Sequence, residues 1–211
     1  KKSTFLLPDK NVPTDRQTIA IEAKEVLNWT SKEINTLLGR AVFDPAIYGT
    51  VRFHHRSVRE YLTAKWLQRL LEQGNKSRRE VERLLFANQY GEDIVISSMR
   101  PVAAWLALWD NGTRLRLREI SPDLLLRYGD PSSLELEFRK TLLKRFIAQY
   151  AENVCIGDFI EINVLKRFAD PELASTINQL FSDYETHEKL CIFLLKLVWH
   201  GKIDGAIIPA K

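Results

Sequence analysis

The sequence predicts a mainly α-helical fold that begins with a small unit containing two strands and continues as packed helix pairs. Apolar residues recur at three- and four-residue steps through most of the 211 residues, which is the helical period. Clear alternation at a period of two occurs over residues 51–55. A short Asp-Pro motif also occurs twice in the second half of the chain. These observations place the small unit in residues 1–74 and the helix pairs in residues 75–211.

Two helices are predicted at the start of the small unit. Asp15 can cap the first of them. Its apolar face comprises Ile19, Ala23, Val26 and Leu27. The second begins with a capping-box pair, Thr30 and Glu33, and ends at Gly39. Its apolar positions are Ile34, Leu37 and Leu38.

Two short strands are predicted next. Ala41 to Phe43 is apolar, and the pairs Asp44-Pro45 and Tyr48-Gly49 are turn signals. The second strand runs from Val51 to His55. Its alternation places Val51, Phe53 and His55 on one face, and Arg52 and His54 on the other. His55 therefore stands at the end of a strand.

A third helix follows this strand directly. The period changes at Ser57, and Gly74 stands where the helix would stop. Its predicted apolar face comprises Val58, Tyr61, Leu62, Trp66, Leu70 and Leu71. The order helix, helix, strand, turn, strand, helix is that of a winged-helix-like unit, which we assign to residues 1–74.

The junction between strand and helix carries a family resemblance. The residues that carry it are Phe53, His55, Ser57, Glu60, Tyr61 and Ala64. They resemble the Phe-x-His-x-Ser/Thr-Phe-Gln-Glu-Phe/Tyr-x-Ala-Ala pattern that closes the winged-helix domain of NACHT-type STAND nucleoside triphosphatases. The resemblance extends over about residues 15–73, and the chain departs from the pattern at Val58, Arg59 and Thr63. Proteins of this family are signalling switches of innate immunity and, in bacteria, of phage defence.

The resemblance implies a role for His55. In that family the matching histidine contacts the phosphates of bound ADP and holds the resting state. A second interpretation stays open, because a histidine on the buried face of a strand can equally be a hydrogen-bonded core residue. His54, on the opposite face, is expected to be solvated. Glu60 is expected to pair with a nearby arginine or to cap a neighbouring backbone group, and not to act as an acid or base. Two roles stay open for Arg52, Arg56 and Arg59. Their side chains could contact a phosphate, or they could simply point into solvent from the side of the helix.

Helices are predicted through the rest of the chain, after a polar linker at 75–79. They comprise a helix including Val81 to Phe86, then 101–109 closed by Asp110-Asn111-Gly112, 122–126 ended by Gly129, 134–150, 159–168, 171–184 and 187–199. The helix over 134–150 carries a continuous apolar face, formed by Phe138, Leu142, Leu143, Phe146, Ile147 and Tyr150.

An internal repeat organises these helices. Arg127-Tyr-Gly-Asp-Pro131-x-x-Leu recurs as Arg167-Phe-Ala-Asp-Pro171-x-Leu, an offset of 40 residues between the two arginines. Asp-Pro can end one helix and cap the next. A period of this length is typical of HEAT-like solenoids, whose stacked helix pairs present an extended surface to a partner. We therefore predict HEAT-like α-solenoid helix pairs over residues 75–211.

Composition indicates an ordinary soluble globular protein of the cytoplasm. Hydrophobic residues make up 45% of the chain and charged residues 27%. The apolar run Leu190 to Trp199 is too short to cross a bilayer. Cys155 and Cys191 are set in apolar surroundings, which favours buried thiols in a reducing compartment. No metal site is predicted, because closely spaced Cys/His pairs are absent from the sequence. The Lys-Lys-Ser-Thr start, without methionine, suggests a fragment of a larger protein.

The positive charge raises a nucleic-acid alternative. The net charge is +4, from 31 basic and 27 acidic residues. Two groups of basic residues are close in sequence: Arg114, Arg116 and Arg118, and Arg139, Lys140, Lys144 and Arg145. Such groups can bind phosphates, but acidic residues are interspersed among them. Nucleic-acid binding is therefore the least favoured interpretation.

No catalytic motif occurs in the sequence. It contains no phosphate-binding loop, no Gly-x-Ser-x-Gly and no His-Glu-x-x-His, so we predict that this chain is not itself an enzyme and holds no cofactor alone. Three functions remain: the regulatory part of a STAND ATPase whose upstream domain holds ADP or ATP, a helical-repeat scaffold for a protein partner, and a winged-helix nucleic-acid binder. The first would use His55, and no membrane partner is expected.

Overall fold

Helices dominate the computed structural model, which describes residues 5–7, 20–46, 49–74, 78–152 and 161–206. Within those ranges the strands form one four-stranded and one two-stranded sheet. The predicted mainly α fold class is thus confirmed. The chain divides into two compact units, an N-terminal unit of residues 1–62 and a C-terminal unit of residues 63–211. The domain boundary at 74/75 stays a prediction.

The N-terminal unit is built on a small mixed sheet. Its strands are β1 (Phe5–Leu7), β2 (Ala20–Glu22), β3 (Phe43–Pro45) and β4 (Val51–Phe53), in the order β2-β1-β4-β3. The first pair is parallel, and the other two pairs are antiparallel. The helices α1 (Ala23–Val26) and α2 (Ser31–Leu38) supply the buried residues Ala23, Ile34 and Leu38.

The helix predicted from Asp15 is wrong over the first three of its described residues. Residues Ala20–Glu22 form a strand, and only Ala23–Val26 are helical, while Asp15 and Ile19 lie outside the described residues. The parallel pairing of Ala20–Glu22 with Phe5–Leu7 gives these backbone groups partners in the sheet instead of within a helix. A pairing partner distant in sequence therefore overrides the local periodicity.

The predicted hairpin is correct in kind but shifted in position. The first strand covers Phe43–Pro45, so Asp44-Pro45 lies within a strand and not in a turn. Phe43 is opposite Phe53, and their rings lie 4.8 Å apart. The packing of these two rings favours the observed register of the two strands. It explains why the first strand covers 43–45 and not 41–43, as predicted. Gly49 has φ +70°, as a turn requires, whereas Tyr48 lies outside the described residues.

The predicted capping box of α2 is confirmed. The Thr30 hydroxyl accepts a hydrogen bond from the Glu33 backbone N–H. In return, the Thr30 backbone N–H donates to a Glu33 carboxylate oxygen at 2.8 Å. The Thr30 hydroxyl also donates to the Glu33 carboxylate at 2.7 Å, and this hydrogen bond, followed by that from the Thr30 backbone N–H, lowers the pKa of Glu33. The helix ends before Gly39, as the sequence predicts.

The third predicted helix is α3 (Arg56–Glu72), and Gly74 beyond it has φ +66°. Its inward face matches the prediction only in part: Leu70 and Leu71 pack against the core, but the fully buried positions are Ala64 and Leu67. Tyr61, Leu62 and Trp66, which were predicted to face the core, are 37%, 46% and 56% exposed. The apolar residues of this helix occur on every side of it, so their spacing alone does not reveal which side is buried.

The C-terminal unit consists mainly of short helices around a continuous leucine-rich core. Its elements are α4 (Arg78–Leu85), β5 (Phe86–Gln89), β6 (Glu92–Val95), α5 (Arg100–Leu106), α6 (Asn111–Ile120), α7 (Pro122–Arg127), α8 (Leu136–Glu152), α9 (Ile162–Phe168), α10 (Ala174–Asp183) and α11 (Glu188–Gly201). The predicted inward face of α8 is confirmed at its centre, where four residues are at most 1% exposed: Leu142, Leu143, Phe146 and Ile147.

Two local predictions for this unit are wrong. Phe86 begins a β-hairpin instead of ending a helix, and Tyr90 and Gly91 form its two-residue turn with φ +56° and +87°. Tyrosine is an unusual residue at a positive φ, so the sequence carries only a weak signal for this turn. Asp110 does not close a helix. Its carboxylate accepts a 2.8 Å hydrogen bond from the Thr113 N–H and so caps α6.

The two Asp-Pro motifs have the same local structure. Asp130 and Asp170 each accept a hydrogen bond from the backbone N–H two residues on, at 3.3 Å and 3.0 Å, and each precedes a single 3₁₀ turn. Gly129, which precedes the first motif, has φ +71°, and an added Cβ would lie 3.2 Å from the Ala104 carbonyl oxygen. The backbone there therefore needs glycine.

Arginine side chains connect these motifs. Arg167 donates to the Gly129 carbonyl oxygen at 3.1 Å. Arg139 of α8 donates to the Phe168 carbonyl oxygen at 3.1 Å and to the Asp170 carboxylate at 2.7 Å. The Arg139 side chain is only 9% exposed, so this charge is neutralised inside the protein. The 40-residue repeat thus packs against itself.

Replacing Arg139 tests the importance of this connection. Arg139→Ala removes a buried cationic donor to the Asp170 carboxylate and to the Phe168 carbonyl oxygen, so we expect the free energy of unfolding to fall by about 3 kcal/mol. Lys140→Ala is the matched control on the same helix, because Lys140 pairs with the exposed Glu137. It should cost less than about 1 kcal/mol. Urea unfolding measures both free energies of unfolding. Equal losses for the two variants would contradict a stabilising role of the Arg139 contacts.

The pair of Arg78 and Asp110 predicts a pH dependence of stability. Two hydrogen bonds of 2.6 and 2.9 Å from Arg78, followed by those from Thr113, lower the pKa of Asp110 to about 2. Because the unfolded pKa is about 3.9, the stabilisation is complete above about pH 5 and is lost as the pH falls towards 2. The stability difference between the wild type and Asp110→Asn should therefore shrink over that interval. Urea unfolding at a series of pH values measures this difference, and a difference for Asp110→Asn that stays constant would refute the prediction.

Candidate functional site

Two histidines occupy the junction between β4 and α3. The strand ends at Phe53 and the helix begins at Arg56, so His54 and His55 lie between them. The His54 backbone N–H donates to the Val42 carbonyl oxygen at 2.8 Å, which extends the hairpin. The His55 carbonyl oxygen accepts from the Val58 N–H at 3.2 Å, at the first turn of α3. His55 therefore directly precedes the helix and is not part of the strand.

His54 is held by an acidic partner. Its Nδ1 lies 2.8 Å from both carboxylate oxygens of Asp44 on the neighbouring strand β3. Half of the His54 side chain is exposed, which confirms the expectation of a solvated residue, although the ring also has this acidic partner. When Nδ1 carries the proton, the hydrogen bond to Asp44 fixes the ring and leaves Nε2 as an acceptor. No sequence pattern indicates the pairing of His54 with Asp44.

His55 is exposed to solvent. Its ring meets the ring of His54 at 4.2 Å between centroids, with an interplanar angle of 72° that places one edge against a face. The interpretation of His55 as a buried core residue is therefore wrong. Its predicted contact with a phosphate stays a prediction, and its exposure is compatible with that role.

The start of α3 has a positive electrostatic character. This helix is 17 residues long, and its first turn contains no acidic residue. The unpaired N–H groups at a helix N-terminus favour an anion. Arg56 lies in this turn, with its side chain 69% exposed and its Nε 2.6 Å from Glu60 at the i,i+4 position. The predicted pairing of Glu60 with an arginine is confirmed. Arg52, on the preceding strand, is also exposed.

The arginine cluster of α6 is engaged inside the fold. Arg114 donates to the carbonyl oxygens of Ala107 and Leu108 at 2.7 and 2.8 Å, just after α5. Arg116 pairs with Glu82 and Asp93 and lies 4.3 Å above the Phe86 ring; Arg118 pairs with Glu119. The hydrogen bond from Arg116 lowers the pKa of Asp93. These side chains serve the protein's own structure.

The basic residues of α8 are engaged as well. Arg139 binds Asp170, and Lys140 binds Glu137 at 2.7 Å. Lys144 donates to the Gln179 side chain at 3.1 Å, and Arg145 lies 3.2 Å from the Glu119 carboxylate. Both groups of basic residues that suggested a nucleic-acid interface therefore have acidic or carbonyl partners.

A groove along α2 is a second feature of the N-terminal unit. It has a volume of about 450 Å³ and is lined by Trp29, Lys32, Glu33, Thr36, Leu37 and Arg40. Trp29 precedes the helix and is 49% exposed, a placement that the sequence analysis did not predict. The groove is open and its lining mixes both charges, so it indicates no particular ligand. Among the described residues, no three His, Cys, Asp or Glu side chains are grouped to hold a metal ion.

Comparisons with known proteins return no match: no family model, no curated protein and no solved structure matches the chain. The resemblance to NACHT-type STAND proteins therefore depends on the residues of this chain alone. Across the part of the chain that the structure describes, no helix combines the length and the apolar character needed to cross a membrane.

The hydrogen bonds that Arg114 donates within the protein provide a test of the nucleic-acid alternative. Arg114→Ala removes the donor to two carbonyl oxygens near the end of α5, so we expect the free energy of unfolding to fall by about 2 kcal/mol. Arg118→Ala, whose partner Glu119 is exposed, is the control and should cost under about 1 kcal/mol. Binding to duplex DNA, measured by fluorescence anisotropy at several salt concentrations, should be the same for all three proteins. Unchanged stability together with weakened DNA binding would contradict this.

Proposed function

We propose that this chain is the regulatory part of a NACHT-type STAND ATPase switch, with His55 as the residue that contacts the phosphates of ADP held by an upstream nucleotide-binding domain. The observation that carries the proposal is the position of His55, exposed directly before the N-terminus of a 17-residue helix. The resemblance over Phe53 to Ala64 supplies the family. In this proposal the chain performs no catalytic step itself.

The chemistry of the junction suits a phosphate. An imidazole N–H of His55 can donate to a phosphate oxygen, and this bond is strengthened by the charge of the acceptor. The positive end of the α3 dipole adds attraction from the same direction. The His54 ring, which Asp44 holds at 2.8 Å, packs against the His55 ring and restricts the orientations open to it. Asp44 and His54 thus act as positioning residues.

A contact of this kind works as a switch when it exists in only one conformation. If His55 touches ADP in the resting state alone, bound ADP favours that state, and loss of the contact favours the active one. We further propose that the helices after Gly74 are HEAT-like and receive the protein ligand that shifts this equilibrium. A cytoplasmic location is part of the same proposal.

A helical-repeat scaffold without nucleotide is the second candidate function. It is favoured by the self-packing Asp-Pro repeat, in which Arg167 reaches Gly129 and Arg139 reaches Asp170. Repeats that pack in this way present a rigid surface to a protein partner whether or not a nucleotide is bound. The two candidate functions predict different effects of replacing the His55 side chain.

Replacing His55 in the protein that includes the nucleotide-binding domain distinguishes them. His55→Ala removes the phosphate contact but leaves the folded structure intact, since the side chain is exposed. We expect faster release of bound ADP, by about tenfold for the loss of one charge-assisted hydrogen bond, together with raised basal signalling. Release of a fluorescent ADP analogue gives the rate.

His54→Ala is the matched control at the neighbouring position. It removes the ring held by Asp44 while keeping His55, so ADP release should accelerate by a smaller factor than in His55→Ala. Equal release rates in wild type and His55→Ala would reject the switch function and leave the scaffold as the better interpretation.

A further inference from the structure

The hairpin of β5 and β6 is buried at its base and exposed at its turn. Phe86 and Val95 are paired at the base, where they are 5% and 3% exposed and join the leucine-rich core. Residues 87–93 are all exposed. Tyr90 lies in the two-residue turn and is 97% exposed, so its ring projects into solvent. We call residues 89–92 the hairpin tip.

The backbone of this turn disfavours tyrosine. Tyr90 and Gly91 have φ +56° and +87°, as in a type I′ turn, whose first position normally holds asparagine, aspartate or glycine. A bulky side chain raises the energy of this left-handed backbone. The ring recovers none of that energy by packing, because it is almost fully exposed. The tyrosine therefore lowers the stability of the turn, and such a residue points to a contact outside this chain.

The charge of the hairpin indicates the chemistry of this contact. From Leu84 to Met99 the chain has two acidic residues, Glu92 and Asp93, and no lysine or arginine. Asp93 pairs with Arg116 at 2.8 Å. The Glu92 side chain is exposed and makes no ion pair within the described residues. The hairpin tip therefore presents an aromatic ring and an available carboxylate, which together attract a cation and repel the phosphates of a nucleic acid.

We infer that the hairpin tip binds an arginine side chain of a protein partner. The guanidinium lies over the face of the Tyr90 ring, and its N–H groups donate to the Glu92 carboxylate. Arginine suits this pair better than lysine, because its planar group both stacks on aromatic rings and forms paired hydrogen bonds with a carboxylate. The inference does not rest on the proposed contact of His55 with ADP, since the hairpin belongs to the C-terminal unit and His55 to the N-terminal unit.

Peptide binding to the full 211-residue chain tests the inference. The probe is a short peptide of alternating glycine and arginine. Its control contains citrulline in place of arginine, which keeps the shape of the side chain and removes the charge. Backbone amide NMR signals of the hairpin report binding. The arginine peptide should shift these signals in a saturable way, and the citrulline peptide should leave them unchanged.

Variants of the hairpin tip locate the contact. Tyr90→Leu and Glu92→Gln should each weaken binding of the arginine peptide by about threefold or more, the effect of losing one exposed cation–π contact or ion pair. Tyr128→Leu is the matched control, since Tyr128 is another exposed tyrosine of the same unit and should not affect binding. Circular dichroism confirms that each variant is folded.

Tyr90→Asn separates binding from folding. Asparagine suits the left-handed turn, so the equilibrium constant for folding should rise by about fivefold in urea unfolding, while binding of the arginine peptide falls as in Tyr90→Leu. A less stable Tyr90→Asn overturns the inference, because the ring would then serve the fold. A wild type that binds neither peptide, or both equally, also overturns it, as does equal weakening by Tyr128→Leu or binding of duplex DNA at the hairpin tip.

Discussion

Around the leucine-rich core of the C-terminal unit, arginine side chains connect each element to the carbonyl end of a neighbouring one. Arg139 is the most buried of them, and it joins the Phe168 carbonyl to the Asp170 carboxylate that caps the next turn. Arg114 and Arg167 make equivalent contacts after α5 and α7. Carbonyl groups at helix ends lack partners within the helix, so a cationic donor both satisfies them and complements the dipole. These arginines therefore contribute to the internal structure of the C-terminal unit.

Helix positions could be predicted where the sequence carries its own start and stop signals. Thr30 with Glu33, the proline at 101 and the Asp-Pro motif at 170–171 all mark real helix or turn starts. Pairing between distant segments is different, since nothing in Ala20–Glu22 identifies its partner strand Phe5–Leu7. The inward face of α3 could not be predicted either, because apolar residues occur on all its sides and only tertiary contacts select one.

At the candidate site the sequence identified the residue but not its surroundings. The strand-to-helix junction at His55 is real, yet the strand ends two residues before it and the side chain is exposed. The contact of His54 with Asp44 depends on the register of two short strands, which was shifted in the prediction. Register follows from packing across the sheet, here the rings of Phe43 and Phe53, and spacing along one strand does not reveal it.

The role of His55 as a phosphate contact is tested most directly by an experimental structure of this chain together with its nucleotide-binding domain and bound ADP. The distance to measure is that between the nearest ring nitrogen of His55 and a phosphate oxygen. We predict about 2.7–3.2 Å, with the His54 ring still beside His55. A His55 ring that faces solvent while other groups bind the phosphates would contradict this role.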